Sequence, residues 1–436
     1  MEAVEIQSLE ASAHVGKVAK LKGHVHAVRN LGNIAFVIVR DRTGVLQLVA
    51  EDPALLSQIA ELGCESPVIV EGLLSARPNS KAGVEMQLTK LEVLATPTAG
   101  LPVEINKDSR IKSLSLGAML DYRPLTLRSP LSRSIFKIEA AFCAAFRQFL
   151  NGEGFTEIHS PKVVSTGTEG GAQLFKLDYF GQPAYLAQSP QFYKQIMVGV
   201  FERVFEIGPV YRAEDHDTSR HVNEYVSMDL EMGFISSEQD LIAMQIRLLR
   251  HMFEYVKETC ATELELHEAT VPTIGEIPQV TIEEAIKLLT EQYNWRPEAG
   301  SLDLDPEAER LLCEHFFNKD GTDLVYVTSY PRKVRPFYAL PIEGTEATHS
   351  FDLLFRGLEV TTGGQRIHSH QQLVESIAGR GLDPASFSDY LQCFRYGMPP
   401  HGGLAIGLER LAKQLLGLPN VKLAALFPRD RHRLTP

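Results

Sequence analysis

Between Asn223 and Phe234 the even-numbered residues Val226, Met228, Leu230, Met232 and Phe234 are apolar, and Tyr225, Ser227, Asp229 and Glu231 fall between them. Successive side chains of a strand point to opposite faces, so this alternation predicts a strand with one side for a core and one polar side. In the preceding run from Phe201, Arg212 and Glu214 share a face by the same rule. Joined by the charged loop AEDHDTSRH, the two runs predict an antiparallel hairpin with a functional polar surface.

Around that hairpin the chain changes texture. Short β-rich runs occupy Val18 to Val28, Ala35 to Arg40, Val45 to Glu51, Ser66 to Leu74 and Val84 to Leu94, with a helical stretch, DPALLSQIAEL, after the third. Five strands with one helix at that point predict a small barrel of the oligonucleotide/oligosaccharide-binding (OB) type. The segment ATPTAGLPVEINKDS is rich in Pro, Thr and Gly and reads as a hinge. Ile135, Ile138, Phe142, Phe146 and Phe149 then recur at helical spacing up to Gly152 and Gly154, further helices are predicted over 237–260 and 281–293, and LERLAKQLLG follows a strand from Leu404 to Ile406. The expected class is α+β: a five-stranded OB barrel in 1–97, a hinge in 98–130, and an antiparallel sheet flanked by helices in 131–436.

Composition narrows the function. The 436 residues carry a formal charge of −12, 44% are hydrophobic and 22% charged, and no apolar run approaches the ~18 residues of a membrane span, so a membrane protein is not expected. The acidity disfavours a generic polyanion binder without excluding a nucleic-acid partner at the N-terminal end. Cysteines at 64, 143, 260, 313 and 393 form no CxxC pair, which argues against a disulfide scaffold or zinc knuckle and for a reducing, cytoplasmic setting. The acidic start MEAVEIQSLE lacks the features of a secretory signal and reads as the beginning of the fold.

Four clusters could carry chemistry. Arg212 can grip a phosphate bidentately while Glu214 accepts a proton from an amino group, and Arg220 and His221 follow in the same loop; an ordinary ion pair fits the first two equally well. In QSPQFYKQ, from Gln188 to Gln195, Lys194 sits in an apolar neighbourhood where it is costly unless it meets an anion, the alternative being a solvated helix face. Asp352 and Glu359 in FDLLFRGLEVTTGGQRIH are oxygen donors suited to Mg²⁺, and Gly363 and Gly364 bring backbone close to whatever Arg366 grips. In GLAIGLER, Gly407 precedes Glu409 and Arg410 at a helix N-terminus that favours anions, although a plain helix with Glu409 one turn from Lys413 is credible.

Taken together, GFTEIHSPKVV, FERVFEIGPVYRAEDHDTSRHVNEYVSMDLEM and GLAIGLERL resemble, in that order, the three signature motifs of class II aminoacyl-tRNA synthetases. QSPQFYKQ and GGQRIH narrow the resemblance to the aspartyl-tRNA synthetase family, and the closing LFPRDRHRLTP is similar to that family's C-terminus. The length matches the archaeal and eukaryotic type, without room for the large insertion of the usual bacterial enzyme.

By that resemblance Arg212 holds the ATP α-phosphate, Glu214 the adenine amino group, and Arg220, His221, Gly407 and Arg410 the phosphate end, with Arg212 and Arg410 as the catalytic pair. Glu359 and Thr362 ligate Mg²⁺, with Asp352 nearby. Glu169 and Asp229 meet the α-ammonium of L-aspartate, helped by Gln191; Gln188 and Ser189 wall the pocket, to which Thr362 also belongs, and Lys194 and Arg366 take the β-carboxylate. Two fixed cations suit aspartate, whereas neutral asparagine would leave them without a counter-charge, a loss of ~3–5 kcal/mol. Asparaginyl enzymes share the fold but lack lysine at this point, and a tRNA-independent asparagine synthetase generally lacks the barrel. In the barrel Phe36 would stack on an anticodon base while Arg40, Gln47 and Glu85 reach base edges. His26 and Pro78 look like the relaxed form that charges both tRNA(Asp) and tRNA(Asn), the second product then needing a tRNA-dependent amidotransferase. Pro161 resembles the proline at the dimer interface, so a homodimer is expected.

Overall fold

The β-rich runs of the first hundred residues close on themselves. In the computed structural model, which describes residues 3–78, 83–167, 173–298 and 302–436, the chain divides into two compact units, Met1–Pro130 and Leu131–Pro436. In the first unit the strands run in the order Val4–Glu5, Val18–Asn30, Ala35–Arg40, Val45–Ala50, Val84–Val93, Pro67–Ala76, and the last pairs back onto Val18–Asn30 to complete a five-stranded barrel with one short added strand. Ala35, Val37 and Val39 point inward with Leu21, Val25, Leu48, Val70 and Met86, while Phe36 and Ile38 alternate to the half-buried outer face. Helix Pro53–Ala60 is started by Asp52, whose carboxylate accepts from the amides of Ala54 and Leu55, and it sends Leu55 and Ile59 into the same core. Each such side chain contributes roughly 1.5–3 kcal/mol on burial. Residues 98–130 contain three short helices, Asp108–Ser113, Leu116–Asp121 and Arg123–Thr126, whose few turns are too short for the periodicity that marks a helix in sequence.

The second unit is built on an eight-stranded sheet, ordered Gln279–Thr281, Leu324–Thr328, Ser350–Phe355, Leu358–Arg366, His401–Gly407, Glu224–Gly233, Arg203–Tyr211, Thr156–Glu157. The six central strands are antiparallel and the two outer ones run parallel to their neighbours. Met228, Leu230 and Met232 pack against helix Pro130–Gly152, through Ile138, Phe142 and Phe146, and against helix Glu238–Thr259, whose start is closed by a capping box between Ser237 and Asp240. Helix Gln191–Phe201 belongs to a second apolar cluster, with Phe337, Ile367 and Phe394. This is an α+β chain with an OB barrel followed by an antiparallel sheet covered by helices.

Two details of the hairpin differ from expectation. The strand stops at Gly233, and Phe234, with φ +58° and 72% exposure, leaves the sheet instead of continuing its apolar face. Arg212 and Glu214 lie just beyond the end of strand Arg203–Tyr211, in the loop. Among the described residues no helix is long and apolar enough to cross a membrane, and all five cysteines are free thiols.

Candidate active site

The hairpin loop is tied at its mouth by one residue. Asn223 donates through Nδ2 to the carbonyls of Arg212, at 2.7 Å, and Glu214, at 3.0 Å, while its own carbonyl accepts the Arg212 amide at 2.9 Å. This fixes the backbone on which Arg212 and Glu214 stand, with the Arg212 guanidinium 5.8 Å from the centre of the Tyr225 ring. Arg212, Glu214, Arg220, His221, Glu359, Thr362, Gly407 and Arg410, scattered over two hundred residues of sequence, line a single cleft.

At one end of the cleft Arg410 ties the hairpin loop to strand Leu358–Arg366. Its Nη1 donates to the Glu359 carbonyl at 3.1 Å and lies 3.5 Å from the Glu359 carboxylate, and its Nε reaches the Arg220 carbonyl at 3.4 Å. Thr362 donates its hydroxyl to Glu359 Oε1 at 2.8 Å. Burial pushes the Glu359 carboxyl up, but Arg410 and the Thr362 hydrogen bond hold it below the usual carboxylate range. Burial, then Arg410, push the His221 imidazole down, so it is neutral at pH 7, with Nδ1 2.7 Å from the Thr218 hydroxyl. Asp352 is paired with Arg335 at 2.6 Å, a partner the motifs do not announce. Its other oxygen, Oδ1, is buried with no hydrogen-bond partner, and burial raises its carboxyl to about 6.

Across the sheet the polar side of strand Glu224–Gly233 meets helix Gln191–Phe201. Lys194, 2% exposed, lies 2.9 Å from Asp229 Oδ1 and 3.3 Å from Glu231 Oε2. Arg366 donates from Nε to Glu231 Oε1 at 3.0 Å and from Nη2 to the Gly403 carbonyl at 3.0 Å. Two cations and two carboxylates thus share one buried floor. Glu231 stays ionised because Arg366 and Lys194 outweigh its burial, yet its Oε2 accepts no hydrogen bond, the Lys194 contact being an ion-pair distance without hydrogen-bond geometry. Gly403 faces Glu231 across the ladder, and a Cβ there would stand 2.0 Å from Glu231 Oε2, so only glycine fits. Gln191 donates to Gln195 at 2.9 Å, and Gln195 is in turn held by Tyr390 and His401. Gln188 and Ser189 line a neighbouring cavity with Phe192 and Tyr390. Glu169 lies outside the described residues.

In the barrel, Phe36 is half-buried on the outer face, and Gln47 donates to Glu85 at 3.2 Å. Glu85 is also gripped by Arg77 at 2.6 and 2.8 Å. Arg40 departs from the expected role of a base-edge donor. It is 5% exposed, and its Nη1 and Nη2 donate to the two oxygens of Glu65 at 2.9 Å each. The neighbouring carboxylate, invisible to strand alternation, consumes the face of the guanidinium that a base would need. His26 is buried with Nδ1 3.2 Å from Arg40, and burial and Arg40 push its imidazole down, so it is neutral at pH 7. Pro78 and Pro161 are exposed.

Sequence reasoning passed over Glu231 although the alternation had already put it beside Asp229; the signal was there. Asn223 gave a weaker one, as the residue closing a loop that opens with Arg212. Glu65, Arg335 and Glu309 carried none, since their partners, Arg40, Asp352 and Arg220, are 25, 17 and 89 residues away.

A family model described as tRNA synthetases class II (D, K and N) matches residues 116–431, and an OB-fold nucleic acid binding domain model matches 19–94. The chain is 52% identical over 435 residues, 98% of each chain, to an aspartate–tRNA(Asp/Asn) ligase of Deinococcus radiodurans. It is 49% identical to the enzyme of the same description from Thermus thermophilus, covering 98% of this chain and 99% of that one. Among solved structures, asparaginyl-tRNA synthetase from Pyrococcus horikoshii complexed with asparaginyl-adenylate superposes with a TM-score of 0.90 at 31% identity, covering 97% of each chain.

Proposed function

The chain belongs to the class II tRNA synthetases of the D, K and N group, and from that premise we propose that it joins L-aspartate to tRNA(Asp) and also to tRNA(Asn), through an aspartyl-adenylate. The observation that carries the choice of amino acid is the buried placement of Lys194 and Arg366 on one floor with Asp229 and Glu231. Asp229 offers a carboxylate for the substrate's α-ammonium, and the two cations meet its β-carboxylate. Contrary to the expectation from sequence, both cations already have protein counter-charges in Asp229 and Glu231, so asparagine would not strand them but would forgo the charge-assisted contacts of a second carboxylate, worth ~1.5–3 kcal/mol each.

In the first step the α-carboxylate of aspartate attacks the α-phosphorus of ATP and pyrophosphate leaves. Arg212 steadies the α-phosphate and Arg410, with Arg220 and His221, the phosphates beyond it, while Glu214 accepts from the adenine amino group. No protein nucleophile takes part. Glu359, Thr362 and Asp352 fit Mg²⁺, since they are hard oxygen donors and the buried Asp352 Oδ1 lacks a partner. When bound there, the ion offsets charge on the phosphates. In the second step the terminal ribose hydroxyl of tRNA attacks the adenylate, and positioning carries most of the rate. The reading includes Gln188, Ser189, Gln191 and Glu169 as the wall and loop of the amino-acid pocket, a cytoplasmic enzyme, and a homodimer with the exposed Pro161 at its interface.

For tRNA, Phe36, Gln47 and Glu85 on the outer face of the barrel form the anticodon platform. The neutral His26 and the small, exposed Pro78 favour the relaxed form, in keeping with the description of the two relatives above. A tRNA-dependent amidotransferase would convert the mischarged product. The structural likeness to an asparaginyl enzyme favours a second reading, activation of asparagine. Pyrophosphate exchange with each amino acid, followed by charging of each purified tRNA, decides both questions. Exchange with asparagine alone overturns the aspartate assignment, and absence of aspartate on tRNA(Asn) overturns the relaxed form.

A further inference from the structure

The loop that carries Arg220 is exposed from Asp215 to Ser219, so something outside it must hold that arginine in the cleft. The holder is Glu309, on helix Pro306–Asp320, a helix that contributes to none of the signature motifs. Asp305 caps this helix by accepting from the Ala308 amide at 2.8 Å and takes a hydrogen bond from Trp295 Nε1, while Leu312, Cys313 and Phe316 anchor it in a core. Glu309, 6% exposed, accepts from Arg220 Nη2 on both oxygens at 2.6 and 2.5 Å, and its Oε2 also accepts the backbone amide of Glu359 at 2.8 Å.

These contacts close a ring. Arg410 bonds the main-chain carbonyls of Arg220 and Glu359, and Glu309 bonds the side chain of the first and the amide of the second. The hairpin loop, strand Leu358–Arg366 and helix Leu408–Leu416, which carries Arg410, are thereby referred to one buried acid side chain. Arg220 Nε has no hydrogen-bond partner, so the guanidinium keeps donor capacity after Glu309 has taken Nη2. We propose that Glu309 is a positioning residue for the nucleotide: it pre-places Arg220 and the Glu359 backbone for the triphosphate end of ATP, acting through them and not on aspartate. The proposal rests on the nucleotide reading of the cleft.

Aspartate-dependent ATP–pyrophosphate exchange tests it. Glu309→Ala is expected to raise KM for ATP about ten-fold, the scale of a lost charge-assisted hydrogen bond, while KM for aspartate moves less than about two-fold. Arg220→Ala should raise KM for ATP similarly, and the double variant should fall clearly short of the product of the two single effects, the remainder being the part of Glu309 that acts through the Glu359 amide. Glu309→Gln keeps one acceptor oxygen, enough for the Glu359 amide, and replaces the other by a donor that cannot pair with Arg220, so it should lie between wild type and Glu309→Ala; it also serves if the alanine variant does not fold. An unchanged KM for ATP in Glu309→Gln and Glu309→Ala, equal rises for both substrates, or full additivity with Arg220→Ala would overturn the proposal while the nucleotide reading stands. A wild-type enzyme without exchange would overturn that reading and the proposal with it.

Discussion

Each unit buries a cluster of charges, and the two clusters are built differently. In the barrel, Glu65 is bracketed by Arg40, at 2.9 Å on each oxygen, and by Arg128 at 3.1 Å. In the catalytic unit Lys194, Asp229, Glu231 and Arg366 balance two charges against two, with Glu231 Oε2 accepting no hydrogen bond and Lys194 reaching the Leu404 carbonyl only at 3.4 Å. Both carboxylates stay ionised because arginine or lysine outweighs burial. Burial of charge is therefore common to both and marks neither as a site. What distinguishes them is completion: the barrel cluster has filled both oxygens of its acid, whereas the other leaves Glu231 Oε2 without a hydrogen bond, in keeping with the amino-acid site proposed above.

The contrast can be broken most sharply at Lys194. Lys194→Ala is expected to reduce aspartate-dependent pyrophosphate exchange by at least a few hundred-fold, as ~3–5 kcal/mol of a buried pair implies, with the circular dichroism spectrum retained. Exchange at the wild-type level would remove the distinction between the clusters. Glu65→Ala should do the opposite, lowering stability by about 3–5 kcal/mol because Arg40 is left buried and unpaired, and leaving exchange intact. Chemical denaturation alongside the exchange assay checks it.

The same pair carries a pH signature. Glu65 has its pKa depressed in the fold, so its contribution is fully present above the ordinary glutamate value of 4.5 and is lost as pH falls through the lower folded value. A Glu65→Gln variant should lack that acid-side loss, and matching acid transitions in the two proteins would show the pair to be idle. The smallest effect is expected at Phe36→Ala, about 1–3 kcal/mol in tRNA charging, the worth of one stacked base, with exchange spared. Equal losses in both assays would mean that the barrel is not a separate recognition surface.

How far the sequence reached follows the range of the forces involved. Alternation and three- or four-residue spacing are local, so the barrel strands and helices Pro130–Gly152 and Glu238–Thr259 were readable to within a few residues, whereas helices Gln191–Phe201 and Pro306–Asp320 were not named; the strand Glu224–Gly233 was overrun by Asn223 at its start and by Phe234, where a left-handed backbone ends it. The short helices between Asp108 and Thr126 were not readable, because four to six residues present less than two turns. Of the candidate site, the eight cleft residues fell inside motifs and could be named. Their fixing partners could not: whether Arg40 reads a base or binds Glu65, or whether Asp352 faces a cation or Arg335, depends on chain segments that only folding brings together.

Gly403 sets a boundary on redesign. Beneath the charged floor Gly403 presents only main chain to Glu231, so no side chain can be added there without striking the Glu231 carboxylate. On the reading proposed above, making room for longer acids would mean shortening a member of that floor such as Lys194, which unbalances the charges that remain. Substrate size and substrate charge are in that sense a single design variable here.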